Sequence, residues 1–340
     1  MIKRITILAG CIACLLFAAI GQAQDATVVR RAAFDVGSAA IKCTVADVDI
    51  ASGRVVEIIE TLSEKIDFAE DLDRSYDSNL SAAIMDKGID ALIRIKRQAD
   101  ELKAMEYSAA GGSVFRQARN GRAYFVRIED ETGIQSRVIS EQQAAMLSFH
   151  AAQQALGTAS RELLVWDIGG GSMQMTARRT DGGLLFYLDS MASVTFKNAV
   201  IEIIQKKNPD TTTTPNPVSS REVNQALAYI KAHAMVAVPT VLKAKIRSGN
   251  MLVAGIGGVH YYSIPEVMGD RKPSFTREEV EATLKKWTGR PDEDFDSEYA
   301  ATRFTNLILV LGYMDALGIT EVHPLKINQA HGLLTTREFW

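Results

Sequence analysis

One short phrase occurs twice in this chain. The first copy is Arg31-Ala32-Ala33-Phe34-Asp35-Val36-Gly37-Ser38. The second is Leu163-Leu164-Val165-Trp166-Asp167-Ile168-Gly169-Gly170-Gly171-Ser172. Each is an apolar run, a single carboxylate, an apolar residue, glycine and then a hydroxyl. Apolar runs of this length read as buried strands. Both copies lead into a second strand-like stretch, Ile41 to Val48 and Met173 to Ala177. A strand, acidic turn and strand used twice is the mark of an internal duplication. A third glycine turn, Gly255-Ile256-Gly257-Gly258, follows the short apolar run 251–254. Three such turns are expected to converge on one cleft between two similar lobes.

The residue types of the repeat suit phosphate. Glycine has no Cβ, so its backbone N–H groups can close on an anion. A carboxylate at a strand end can hold a divalent cation or an attacking water. Ser172 and Ser38 add hydroxyls beside the glycines. Arg116 is a further candidate for contact with phosphate oxygens, as is Lys42. The five histidines are scattered without zinc-ligand spacing.

At 340 residues the chain has room for about two domains. Its net charge of −3 speaks against general nucleic-acid binding, which requires a basic excess. Residues 1–23 read as a signal peptide. Lys3 and Arg4 precede an uncharged stretch from Ile5 to Ile20, and Gly21-Gln22-Ala23 offers small residues for cleavage after Ala23. The apolar run is short of the roughly 20 residues of a membrane span, so stable membrane insertion after cleavage is not expected. Leu8-Ala9-Gly10-Cys11 spells a lipoprotein-type box, but it follows Arg4 almost directly. The expected location is the periplasm or the outside. Cleavage would leave 36 basic residues against 41 acidic ones, and Cys43 alone of the three cysteines. A single cysteine forms no internal disulfide. Cys43 reads as a small buried apolar residue.

Strands and helices alternate along the chain, an α/β pattern. Helical spacing covers 81–105, 141–156 with Gly157 as its stop, and 194–206. Ser219 with Glu222 and Thr276 with Glu279 make capping boxes, each before a further helix. Ala300 to Leu317 is a long apolar helix closed by Gly318. Arg116 to Gly121 ends in an Asn-Gly turn signal. Asn208 to Pro217, with four consecutive threonines, reads as a tolerated surface insertion.

Five motifs, in this order and spacing, resemble the exopolyphosphatase / guanosine pentaphosphate phosphatase family. They are Asp35-Val36-Gly37-Ser38, Arg116 to Gly121, Val138-Ile139-Ser140, Asp167 to Ser172 and Gly255 to Gly258. The family belongs to the actin-like, Hsp70-like, sugar-kinase superfamily. The resemblance implies two RNase H-like domains with an inter-domain cleft, here 24–145 and 146–340. It also implies Mg²⁺, held by Asp167 and Asp35, and release of a terminal phosphate from polyphosphate or a phosphorylated nucleotide. Gly37, Ser38, Arg116, Gly169, Gly170, Gly171, Ser172, Gly255, Gly257 and Gly258 would bind phosphate. A homodimer is compatible with it.

The chain also departs from the family pattern. The family's general-base glutamate falls on Gln143, and the glutamate that helps hold metal falls on Gln174. Ala39 and Ala40 replace Asn and Ser, and Thr195 replaces an arginine. An amide is no base at neutral pH, although glutamine can orient a water. The catalytic set is therefore expected to be Gln143, Glu141 and Asp167, with Glu141 a displaced carboxylate. Two readings follow: an exported phosphohydrolase of reduced activity, or a binding module of the same fold that grips polyphosphate or nucleotide without turnover.

Overall fold

The computed structural model describes residues 28–157, 162–249 and 251–340. The expected leader, its cleavage site and Cys11 lie outside them. The first sheet is built from β1 (Val28–Val36), β2 (Ala40–Asp49), β3 (Arg54–Lys65), β4 (Glu106–Gly111) and β5 (Gln135–Val138). The second holds β6 (Leu163–Ile168), β7 (Met173–Arg178), β8 (Leu184–Asp189), β9 (Leu252–Ile256), β10 (Phe275–Thr276) and β11 (Glu321–Pro324). The strand orders are β3-β2-β1-β4-β5 and β8-β7-β6-β9-β11-β10.

Pairing directions repeat as well. In each sheet the first three strands form an antiparallel meander, and two further strands add in parallel on the other side. The short β10 is an addition at the edge. This is the duplicated α/β architecture of two RNase H-like lobes that the sequence led us to expect. The central strands β1 and β6 read as continuous apolar runs because both faces of each sheet are covered. Ala32 to Phe34 and Leu163 to Trp166 are buried accordingly.

The helices are α1 (Phe68–Asp73), α2 (Ala82–Glu101), α3 (Ser113–Gln117), α4 (Gly121–Thr132), α5 (Glu141–Ala155) and α6 (Ser193–Ala199). They continue with α7 (Ser220–Ala237), α8 (Thr240–Arg247), α9 (Ile264–Met268), α10 (Arg277–Trp287), α11 (Ala300–Leu317) and α12 (Gln329–Leu333). Both expected capping boxes form, at Ser219 and Thr276. A third, Ser140 with Gln143, opens α5. Each satisfies N–H groups that a helix start would otherwise leave unpaired.

The expected turn forms at Arg119-Asn120, where the Gly121 amide donates to the Ala118 carbonyl at 3.0 Å, and α4 starts directly after Asn120. Its side chain leaves the helix uncapped and instead clamps Leu80, accepting from Leu80 N–H at 2.9 Å and donating to Leu80 carbonyl at 2.8 Å. The 208–217 segment is a surface loop, as expected, and is tied down near its end. Thr214 and Asn216 both donate to Asp292, and Asn216 also donates to the carbonyl of Ala300. The expected helix over 194–206 is α6 continued by a π-helical turn, Val200–Ile204.

Helix α5 serves both lobes. Ala144 and Leu147 pack with Ala33, Ala46 and Ala110 of the first sheet. Phe149 and Ala152 pack with Val165, Ala254 and Ile256 of the second. Position 145/146 therefore lies inside this helix. The chain end then returns to the first lobe. Ala330, Leu333, Leu334 and Phe339 join the core around Ala33. Arg31 donates to the carbonyl of Leu334 at 2.9 Å, and its guanidinium stacks over Trp340 at 4.3 Å.

Candidate active site

The two acidic hairpins match residue for residue. The amide of Gly37 donates to the carbonyl of Ala40 at 2.9 Å, and that of Gly169 donates to the carbonyl of Ser172 at 2.9 Å. Asp35 pairs across the strands with Lys42, and Asp167 with Gln174. Gly37 thus corresponds to Gly169, Ala40 to Ser172 and Lys42 to Gln174. A Cβ on Gly37 would lie 2.9 Å from the Ala40 carbonyl oxygen, so the tight turn excludes a side chain there.

Parallel pairing aligns the carboxyl ends of the strands. Asp35 and Val36 lie beside Ala110 and Gly111 of β4, and Asp167 lies beside Ile256 of β9. In open sheets of this kind, ligands bind in the crevice beyond these strand ends. Gly257 follows β9 with φ of +84°, a left-handed conformation that favours glycine. A Cβ on it would meet the Ile168 carbonyl oxygen at 2.5 Å and Asp167 Oδ1 at 2.7 Å. The third glycine turn is therefore pressed against the second acid. Gly171 and Gly258 have open space where a side chain would stand, and Gly170 meets only Val194 at 3.6 Å.

The second carboxylate, Asp167, lies close enough to the first for the Asp35 charge to act on it. Both are half-buried. Desolvation pushes Asp35 above the ordinary carboxylate range, against the pull of the Lys42 charge. Asp167 is pushed up to about 6. Its burial is the largest cause, and the Asp35 charge adds to it, while a hydrogen bond from Ser148 and the Lys42 charge act the other way. Ser148 Oγ of α5 donates to Asp167 Oδ2 at 2.9 Å.

Among the described residues no group of three or more His, Cys, Asp or Glu forms a complete metal cage. The donor set nonetheless suits Mg²⁺. That ion keeps several waters and is held by one or two carboxylates plus substrate phosphates. A pair of hard oxygen donors whose mutual repulsion raises the pKa of one of them is stabilised by a shared cation.

Other expected residues gather at a different place. Arg116 donates to the carbonyl of Ile139 at 2.9 Å and reaches Glu141 at 3.4 Å. Gln143 accepts from the Ser140 amide at 3.0 Å and reaches Glu338 at 3.5 Å. Glu141 and Gln143 open α5, seven and five residues before Ser148, or about 10 and 8 Å along the helix, and Arg116 reaches this helix start from α3. Gly255 lies within β9, where a Cβ would meet Val322 at 2.6 Å and His260 at 2.7 Å. Ser38 contributes its carbonyl to the amide of Ala69 at 2.9 Å. Gln174 is buried, and its Nε2 reaches Ser172 Oγ at 3.4 Å.

Two neighbours of the site escaped sequence reasoning. Gly111-Gly112 at the end of β4 occupies the place in the first lobe that Gly257-Gly258 holds in the second. A strand followed by Gly-Gly-Ser was the available signal. Ser148 gave none, because its contact with Asp167 spans 19 residues.

Residues 44–202 match the model of the Ppx/GppA phosphatase family. A stretch of 151 residues is 29% identical to an uncharacterized protein of Streptomyces coelicolor and covers 44% of each chain, so this chain matches less than half of that relative. In structure, the chain is similar to a Ppx/GppA family member of Aquifex aeolicus. The TM-score is 0.73 at 16% identity, over 92% of this chain and 98% of that one. It is also similar to an exopolyphosphatase from Cytophaga hutchinsonii, with a TM-score of 0.68 at 15% identity over 91% of this chain and 97% of the other. At such identities the structural likeness is one of fold. Among the described residues no helix is long and apolar enough to cross a membrane.

Proposed function

We propose that this chain, whose residues 44–202 match the Ppx/GppA phosphatase family, is an exported phosphohydrolase releasing terminal phosphate from polyphosphate or a related phosphoanhydride. The observation that carries this reading is the pair Asp35 and Asp167, set on equivalent hairpins and close enough for the Asp35 charge to act on Asp167. Glycine turns flank both.

Asp35 and Asp167 would hold Mg²⁺, which when bound supplies positive charge to the oxygens of a phosphoryl group. The open backbone at Gly170, Gly171 and Gly258 would bind the polyanion, with Gly37 and Ser172 framing the turns. A chain of phosphates reaching from the two acids to the start of α5 would bring its terminal group to Gln143, which would orient water, and Glu141, which would accept its proton, at the reduced rate that replacement of an acid by an amide implies. Phosphate release from polyphosphate with Mg²⁺, compared between wild type and Asp167→Asn, tests the assignment. A loss of about 10²-fold or more is expected, and equal rates would reject it.

One observation favours the second reading, a binding module without turnover. The amide oxygen of Gln143 is already committed to the Ser140 N–H. On that reading Gln143→Glu with Gln174→Glu raises hydrolysis by about 10²–10⁴-fold while polyphosphate affinity changes little. A wild type that already hydrolyses rapidly counts against it.

A further inference from the structure

Helix α11 is apolar along most of its length and almost wholly buried, yet Asn306 sits at its middle with 3% exposure. A buried amide is costly unless its hydrogen bonds are made. Both of its ends are used, and the partners come from separate elements. Ser193 Oγ, at the start of α6, donates to Asn306 Oδ1 at 2.7 Å. Asn306 Nδ2 donates to Ser263 Oγ at 2.9 Å. Ser193 and Ser263 are themselves buried.

Each serine is tied to a different glycine turn. The amide of Ser193 donates to the carbonyl of Gly169 at 3.2 Å, and the next amide, Val194, donates to Gly170 at 2.8 Å. Ser263 closes a π-helical turn, Val259–Ser263, which begins directly after Gly258. Helix α11 packs on α6, on α9 and on this π turn. A continuous relay therefore runs from the second glycine turn through Ser193, Asn306 and Ser263 to the third.

We infer that Asn306 is a positioning residue that couples the second and third glycine turns, so that the two faces of the second lobe's anion cradle move as one unit. A helix interior that needed only stability would hold an apolar residue at this place, since replacing all members of a buried polar set together is close to neutral. What the relay adds is a side-chain tie between two loops whose backbones already approach where Gly257 meets Asp167 and Ile168. Its relevance to phosphate rests on the function proposed above, but the coupling itself does not.

The test is the triple variant Ser193→Ala, Asn306→Leu, Ser263→Ala, which removes the three polar groups together and leaves none unpaired. Its denaturation midpoint is expected near that of wild type. Hydrogen exchange is read at amides bonded within each turn: Gly169 and Val194 for the second, Ile264 for the third. We expect exchange at both turns to rise together by roughly tenfold, and inorganic tripolyphosphate to bind more weakly. Unchanged exchange at both turns, or a rise at one alone, overturns the coupling. Should the triple variant fail to fold, Ser193→Ala alone decides. Its effect must reach Ile264, on the far side of Asn306, and no change there overturns the inference. If wild type releases no phosphate from polyphosphate, the proposed activity falls while the exchange result stands by itself.

Discussion

Asp35 and Asp167 hold the same place in two copies of one hairpin, but the residues opposite them differ. Lys42 lies across from Asp35, and Gln174 lies across from Asp167. The first copy thus carries a cation beside its acid, and the second an amide, so the duplicated site is asymmetric in charge. These acids and glycines were legible because a hairpin is local: the carboxylate, the turn and the return strand lie within ten residues of one another. Contacts between elements were not. His260 is such a case, packed against Trp166 and Phe275 with no exposure and, among the described residues, no partner for either ring nitrogen. Desolvation pushes its pKa down to about 3, and that of His331 down to about 4. An unfolded histidine titrates near 6.5. Between these values the unfolded chain binds a proton that the native ring refuses, so stability is whole above about pH 6.5 and declines as pH falls toward the native values. The raised Asp35 and Asp167 act the other way over this range, so the histidine contribution is read by difference: between pH 7 and pH 4 the urea midpoint of His260→Leu should fall less, or rise more, than that of wild type. A variant slope equal to that of wild type would contradict the account.

Among the elements, α5 decides how the lobes meet. Its start is fixed by the Ser140–Gln143 capping box, its middle delivers Ser148 to Asp167, and its two sides pack on two sheets. Helix α12 lies against it so closely that a Cβ on Gly332 would stand 2.0 Å from the Leu147 carbonyl oxygen. Backbone cannot yield to such a clash as a side-chain tip can. Gly332→Ala should destabilise the protein by about 1–3 kcal/mol, the usual range for overpacking, as read from urea denaturation. A change within a few tenths would show that α12 is free to shift. Capped helices such as α7 and α10 could be read from their Ser/Thr and Glu spacing, and α11 from its unbroken apolar run. Helix α4 could not. It follows an Asn-Gly turn, and the clamp of Asn120 on Leu80 that holds this turn spans 40 residues. The π turn after Gly258 has no sequence signature of its own.

For the whole molecule, duplication is the organising fact, and the repeated phrase around Asp35 and Asp167 announced it. The closing segment was invisible to the same reasoning. Nothing in residues 329–340 says that they return to the first sheet, where Arg31 is held between Glu106, the Leu334 carbonyl and the Trp340 ring. This segment and α5 together bind the second lobe to the first, and so set the gap across which the two carboxylates face each other. The central claim is that those carboxylates act as one site. The direct measurement is a double-mutant cycle on Mn²⁺ affinity, read by electron paramagnetic resonance, with Asp35→Asn, Asp167→Asn and both together. A shared site predicts that each single change weakens binding and that the double change weakens it little further. Losses that simply add, or an Asp35→Asn protein that binds Mn²⁺ as wild type does, would contradict it.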